Sequence, residues 1–569
     1  MAASFLRIAT ASLLISTVSL PVSAQGFSGA YLAGRQAAFD SDYQAASQYY
    51  TQALARDPSN PRLLENAVLA FLSLGQVDRA MPVARKMRAD GLQSQLANMV
   101  ITADLVKDGK FETLLEEIDG TLEINELVDS LVSAWAQIGK GSMSEALKAF
   151  DEAAKQQGAA GFSAYHKALA LASVGDFSGA EAVYSAETDA PVQMTRRSVI
   201  ALVQILSQLE RNEEALNVMK EMFGTALDPR LQDMYDTLEA GGELEFSVVN
   251  GASDGIAEVF YTLADVLAPD AAPDYTLMYA RVAEYLRPDH VEALLLSAGL
   301  LDQMGRYELA TEAYKRVPAD HPSFHAAEMG RADALRMAGK NDAAIEVLEQ
   351  LTRTHGELSS VHSALGDVLR QQKDFEGAVA AYDKAIELDN TLDRALWFVY
   401  YARGICHERL DKWDMAEADF RKALELNPEQ PQVLNYLGYS MVEKQIKLDE
   451  ALNMIERAVA ARPGSGYIVD SLGWVLFRLG RYDEAVGHME RATELMPIDP
   501  VVNDHLGDVY WAVGRNLEAE FQWKRALSFV SDDTAEEANP DRIRRKLEVG
   551  LDQVLEEEGA DPLKVANEG

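Results

Sequence analysis

The sequence predicts an all-α protein built as a solenoid of stacked helical hairpins. Three observations carry that reading. The chain has 569 residues, about twice the length at which a single hydrophobic core stops growing. Small and bulky residues recur in fixed order, so that Gly473 and Gly507 stand 34 apart and Gly438 and Gly473 stand 35 apart. Ala, Leu and Glu dominate and Gly recurs singly rather than in runs, in a composition that is 48% hydrophobic and 25% charged, ordinary for folded protein.

The period runs backwards from these markers. Gly404 lies 34 before Gly438, and Gly366 lies 38 before Gly404. Ala332, Ala298 and Ala264 are spaced by 34 from one another. Twelve places after each marker comes a second small residue: Ala310, Ala344, Ala378, Ala416, Ala485 and Ala519, with Ala451 one place late. A bulky residue follows four later at Tyr314, Tyr382, Phe420 and Trp523, and then Ala385, Ala423, Ala458, Ala492 or Ala526. Pro288, Pro322, Pro428, Pro463 and Pro497 close units. The amino-terminal half keeps the phase more loosely, through Gly34, Ala46, Tyr50, Ala53 and Pro58, then Gly75 with Ala80, Ala146 with Phe150, and Gly175 with Ala180 and Tyr184. Weaker units centre near Thr102 and Val203. The total is about fourteen units.

Close helix packing explains the order of residue types. Small residues let two antiparallel helices approach, and the bulky one fills the gap to the next helix. Proline cannot continue a helix interior, so it marks a boundary. Gly305, Gly339, Gly480 and Gly514 fall where first helices should end in a left-handed residue.

The phase breaks between Val203 and Ala264, around Gly241-Gly242 and Gly251. Residues 223–254 are therefore expected to form an irregular unit and hinge between two arms, 25–222 and 255–530. Residues 531–556 read as an acidic linker and an amphipathic helix, Asp541–Glu556, with Ile543, Leu547, Leu551 and Val554 on one stripe. Such a helix can cap the last repeat. Residues 557–569 read as a disordered tail.

The first 24 residues form a separate signal. Arg7 precedes an apolar stretch from Ile8 to Val22, and Val22-Ser23-Ala24 supplies small residues before Gln25. That pattern predicts export and cleavage after Ala24, hence a periplasmic protein. The stretch is shorter than the roughly 20 residues of a spanning helix. No other apolar run is long enough, and no cysteine follows to take a lipid. Membrane association would come through partners.

Lys and Arg number 52 against 90 Asp and Glu, a formal net charge of −38. That field repels nucleic acid and anionic membranes. It serves solubility on one reading, and on another attracts basic partners or divalent cations. Cys406, the single cysteine, rules out an internal disulfide and reads as a small buried apolar residue.

Motifs for catalysis are missing from the sequence: no H-E-x-x-H, P-loop, nucleophile elbow or CxxC. Gly464-Ser465-Gly466 is a turn between repeats. His321, His325 and Glu328 come closest to a ligand cluster, but Pro322 should place His321 outside the helix. No catalytic residue, metal or cofactor is expected.

The order W-x2-L-G-x2-Y, A-x3-F and P at 34 residues resembles the tetratricopeptide repeat family. The resemblance implies a right-handed superhelix whose first helices line a concave groove. Carried onto this chain, the groove positions are Tyr401, Arg409, Asn435, Tyr439, Tyr467, Asp470, Trp474, Phe477, Arg478, Asp504, Asp508 and Trp511. They would form aromatic walls with a ladder of Asn and Asp able to hold an extended peptide. Packing inside the array is the alternative for any one of them. Trp474 and Trp511 are expected as exposed aromatics on the concave face. The residues of a carboxylate clamp are replaced by acids and aromatics.

The runs Val433–Ser440 and Val469–Trp474 are similar to a proteobacterial group of large exported tetratricopeptide proteins. One type in that group is a lipoprotein adaptor that presents cell-wall hydrolases to a carboxyl-terminal processing protease. The implied role is a non-catalytic scaffold or adaptor for envelope proteins, a protease and its substrates among them. A periplasmic scaffold of polysaccharide export or outer-membrane assembly is the alternative. An enzyme with its site in 223–254 is a third reading.

Overall fold

The computed structural model describes residues 27–118, 120–186, 191–224, 227–389, 396–560 and 562–563. The expected signal peptide and most of the expected tail lie outside them. Among the described residues there is no strand. The chain divides into two compact units between Val347 and Leu348.

The amino-terminal unit begins with six hairpins: α1 (Phe27–Phe39) with α2 (Tyr43–Leu54), α3 (Pro61–Ser73) with α4 (Val77–Ala89), α5 (Gln95–Lys107) with α6 (Phe111–Ile118), α7 (Glu126–Gly139) with α8 (Met143–Ala153), α9 (Ala160–Ser173) with α10 (Phe177–Tyr184), and α11 (Arg196–Gln208) with α12 (Asn212–Phe223). Then come α13 (Pro229–Glu239), α14 (Ala252–Leu267), α15 (Pro273–Leu286), α16 (Val291–Gln303), α17 (Tyr307–Tyr314) and α18 (Phe324–Met337). The division between the units falls inside α19 (Asn341–Thr354).

The carboxyl-terminal unit continues with α20 (Ser359–Gln371) and α21 (Phe375–Leu388), α22 (Trp397–Arg409) and α23 (Trp413–Leu426), α24 (Pro431–Glu443) and α25 (Leu448–Ala461), α26 (Gly466–Arg478) and α27 (Tyr482–Leu495), α28 (Pro500–Ala512) and α29 (Asn516–Phe529). Three short helices end it: α30 (Ala535–Ala538), α31 (Pro540–Val549) and α32 (Leu551–Glu557).

The repeat residues sit where close packing requires them. Ala378, Ala416, Ala451, Ala485 and Ala519 are fully buried, as are Tyr382, Phe420 and Trp523. A Cβ added at Gly366 would come within 2.6 Å of the Tyr382 ring, and one at Gly507 within 2.5 Å of Trp523. The small marker and the bulky residue are thus two halves of one contact. Gly305, Gly339, Gly480 and Gly514 all have φ between 70° and 79°. Asn60, Asp228 and Asp499 cap helices whose first residue is proline, the arrangement expected at a helix start.

Residues 223–254 do not separate two arms. The stretch lies within the amino-terminal unit. α13 packs on α12, and residues 240–251 return the chain so that α14 packs on α7. α15 then packs on α3 and α5. The physical reason is the burial that this pair of helices demands. From Thr276 to Glu284 every residue of α15 is buried, and α14 buries Ile256 through Phe260. A helix buried on every side has to be enclosed by others, and α3, α5, α14 and α16 enclose this one.

The expected final helix is two, broken at Gly550, whose φ is 84°. Ile543, Leu551 and Val554 are buried, and α31 packs on α29. Cys406 is fully buried. Burial pushes its thiol up to about 12, so it packs as an apolar side chain.

Candidate groove of the carboxyl-terminal unit

The first helices of the hairpins form the inner wall of each unit, and the two walls are treated differently. In the amino-terminal unit α3, α5, α7 and α9 are all covered by α14 or α15. Gly255 makes the approach possible: a Cβ there would lie 2.1 Å from the Trp135 ring. The Tyr279 hydroxyl accepts from Gln95 Nε2 at 2.8 Å. Arg281 donates to the Ser73 carbonyl at 3.2 Å and pairs with Glu284 at 3.0 Å.

That cover carries a fully buried carboxylate, Glu258 on α14. It accepts from Arg197 Nε at 2.7 and 2.8 Å and from Tyr165 at 2.9 Å, and it lies 3.2 Å from the His290 ring. Burial raises its carboxyl, but Arg197 and His290 overcome that and hold it at about 2. Nearby, Glu292 pairs with Arg197 at 3.0 Å and Arg230 at 2.5 Å. A satisfied buried network of this kind is strongly held once made. Sequence reasoning missed it. The available signal was a lone Glu258 in the apolar run Gly255-Ile256-Ala257-Glu258-Val259-Phe260.

The carboxyl-terminal wall is built by α20, α22, α24, α26 and α28, and the twelve residues expected in a groove lie on four of them. Tyr401 is half-buried, with ring neighbours Trp397, Phe420 and Tyr436 at 5.8–6.3 Å. Tyr436, which the sequence pattern did not single out, is thereby part of the same aromatic wall. Tyr439 is half-buried, and Tyr467 is 63% exposed. Asn435 is half-buried, and its Oδ1 has no hydrogen-bond partner among the described residues. The Arg409 side chain is 61% exposed. Arg478 makes no hydrogen bond or ion pair among the described residues.

The remaining six are tied into the unit. Trp474 is not the exposed aromatic the pattern suggested; it is 8% exposed, as is Phe477. The Trp474 ring stacks on His505 at 4.0 Å and on Phe477 at 4.9 Å, and its Nε1 donates to Glu443 at 2.7 Å. Asp470 lies 3.1 Å from the His505 ring. Burial opposes charge on that ring, but Asp470, Asp504 and Asp508 raise its pKa above the ordinary value.

Asp504 and Asp508 hold the fully buried Lys546 of α31 at 2.8 and 2.7 Å. Asp508 also accepts from Trp523 Nε1 at 2.8 Å. Trp511 is covered by Gly550 and donates to Asp552 at 2.8 Å. The physical reason is what comes after α29: α31 packs on α29 in place of another hairpin and covers those positions. Lys546 falls on the same stripe as Ile543, three residues on, and that spacing was the legible clue.

Other candidate chemistry does not converge. The His321 ring accepts from the Ser323 backbone, His325 faces the Pro322 carbonyl, and Glu328 binds Arg331. No group of His, Cys, Asp and Glu among the described residues could hold a metal ion. No described helix is long and apolar enough to cross a membrane. A pocket of about 500 Å³ between α8, α9 and α10 has mostly apolar walls, and its Lys167 is paired with Asp151 at 2.6 Å.

Models of the tetratricopeptide repeat match residues 31–93, 329–393, 397–430 and 442–500. Those four stretches carry tetratricopeptide repeats. A TPR repeat-containing protein of Pseudomonas aeruginosa, PA4667, is 24% identical over 163 residues, 28% of this chain and 26% of that protein. Human protein O-mannosyl-transferase TMTC1 is 25% identical over 197 residues, 34% of this chain and 21% of that protein. The chain thus spans only about a quarter of the length of these relatives. Among solved structures, that of the APC/C hetero-tetramer Cut9–Hcn1 aligns over 91% of this chain and 96% of that one, at 15% identity and a TM-score of 0.38.

Proposed function

We propose that the chain is a non-catalytic scaffold of the bacterial cell envelope that holds partner proteins on the inner wall of its carboxyl-terminal unit. The observation that supports this most directly is the contrast between the two walls. Two long helices seal the first wall; on the second, the side chains of Tyr401, Tyr436 and Tyr439 stay half-buried and Tyr467 is exposed. Aromatic side chains offer large contact area with few rotors to fix, the usual makings of binding anchors.

The envelope reading is supported by the pattern of residues 1–24, and on that reading the mature protein is periplasmic and starts at Gln25. Its partners there would be envelope proteins, with a processing protease and its substrates as one set and a polysaccharide export machine as another. Amino-terminal sequencing of the fractionated protein tests the export step: a cytoplasmic chain that keeps Met1 or Ala2 removes it. Affinity capture from envelope extract, repeated with Tyr401→Ala plus Tyr467→Ala, tests the wall. Trp474 and Trp511 are poor choices for that variant because both are structural. Captured proteins should fall by about tenfold or more when two anchor side chains go. An unchanged set rejects this wall as the binding surface.

A further inference from the structure

Residues 531–539, Ser-Asp-Asp-Thr-Ala-Glu-Glu-Ala-Asn, cross the carboxyl-terminal wall between α29 and α31. The short helix α30 packs on α28, and its Ala538 is buried. Glu536 reaches Lys373, at the end of α20, with an ion pair of 3.1 Å. Arg409, at the end of α22, adds its charge to the field at Glu536. Glu537 lies near enough to make both Tyr439 and Tyr467 harder to ionise. One acidic stretch is therefore felt on α20, α22, α24, α26 and α28.

The hold is weak. The two sides of the Lys373–Glu536 pair are 73% and 87% exposed. Exposed pairs of this kind contribute little and are screened by salt. Asp532, Asp533, Glu536 and Glu537 are all exposed. What keeps the stretch on the wall is its tether: α29 on one side and the cap, α31 and α32, on the other. A tethered segment has a high effective concentration even when its own contacts are poor.

From this we infer that residues 531–539 are a displaceable plug, and that the wall beneath takes a short acidic segment of a partner protein in its place. The inference rests on the groove proposed above and adds the chemistry of what fills it. The complementarity is specific in position. Lys373 and Arg409 stand at the ends of successive first helices, and the half-exposed Arg478 ends another. Ala538 is buried where α30 packs on α28, and so small a side chain lets the backbone lie close to the wall.

The test uses a fluorescent peptide copying residues 529–541, added to the full chain. In one variant the plug is neutralised by Asp532→Asn, Asp533→Asn, Glu536→Gln and Glu537→Gln, which leaves the cap in place. Losing a tethered competitor should tighten peptide binding by about tenfold or more. Adding Lys373→Glu and Arg409→Glu to that variant should reverse the gain. Equal binding by the full chain and the neutralised variant, or binding by neither, overturns the plug.

A second measurement does not depend on that variant. In the otherwise unaltered chain, Lys373→Glu with Arg409→Glu should speed amide exchange at Ala535–Ala538 by about tenfold, as expected for a segment of low local stability. Unchanged exchange likewise overturns the inference. If peptide binding fails while capture still depends on Tyr401 and Tyr467, the groove stands and the acidic plug does not.

Discussion

Both units cover their inner walls with their own chain, but in materials of different strength. The amino-terminal unit uses two long apolar helices pinned by a buried network around Glu258. The carboxyl-terminal unit uses nine mostly polar residues whose main ion pair is open to water. The same repeat surface is structural core in one case and, in our proposal, an exchangeable site in the other. What decides between them is how much apolar area and buried charge the covering segment brings, since burial and unpaired buried charge dominate such costs.

That contrast can be attacked at several strengths. The largest effect should come from Arg197→Met, which leaves Glu258 buried without its cation. Removing one partner of a buried pair costs about 3–5 kcal/mol, so the urea midpoint of the amino-terminal unit should fall sharply while that of the other unit stays. A small shift would mean that the cover is looser than described.

Gly255→Ala comes next. Its new methyl meets the Trp135 ring at 2.1 Å, and overpacking of this kind costs about 1–3 kcal/mol. The substitution should lift α14 and raise the fluorescence accessibility of Trp135 to a soluble quencher. Lys546→Met should cost about 1–3 kcal/mol, the range for an unmet buried acceptor. Asp504 softens that loss, because burial already raises its carboxyl against the pull of Lys546, so it can take up a proton. The expected readout is exposure of Trp511 as the cap loosens.

Opposite responses to pH give a subtler comparison. Glu258 sits at about 2 when folded and 4.5 when not. Its contribution is present above about pH 4.5 and is lost as pH falls towards 2. Burial likewise lowers His166 from 6.5 to about 4, so acid weakens the same unit from about pH 6.5 downwards. His505 behaves in the reverse sense. Its pKa is raised in the fold, so its contribution is complete below 6.5 and disappears as pH climbs through the folded value. Thermal unfolding of the chain beside His166→Asn and His505→Asn should show the first variant losing less stability in acid and the second losing less as pH rises above 6.5. A common pH profile would contradict both networks.

Repeat phase was legible because it depends on close contacts between neighbouring helices in sequence. Gly507 and Trp523, or Gly366 and Tyr382, are local pairs, and their residue types alone report them. Long-range covering was not legible. The Ala264 marker kept the repeat phase, so α14 and α15 read as one more hairpin, although they pack across the wall of earlier ones. Position-based projection likewise named Asp504, Asp508 and Trp511 as groove residues. It could not register that α31 packs on α29 and that Lys546 returns to meet them. Trp474 was misread for a related reason: the first helix of the next unit brings His505 against its face.

The return of α14 and α15 also bears on how the chain is made. Tyr43 bonds Met304 across 261 residues of sequence, and Arg281 reaches Ser73 across 208. Repeat arrays ordinarily gain structure one neighbour at a time, but closures of this span slow folding and leave apolar surface open meanwhile. A nascent chain with only its first 240 residues would present the bare walls of α3, α5, α7 and α9 to whatever is near. The amino-terminal unit therefore finishes folding late, and that interval is when a chaperone has the most to shield.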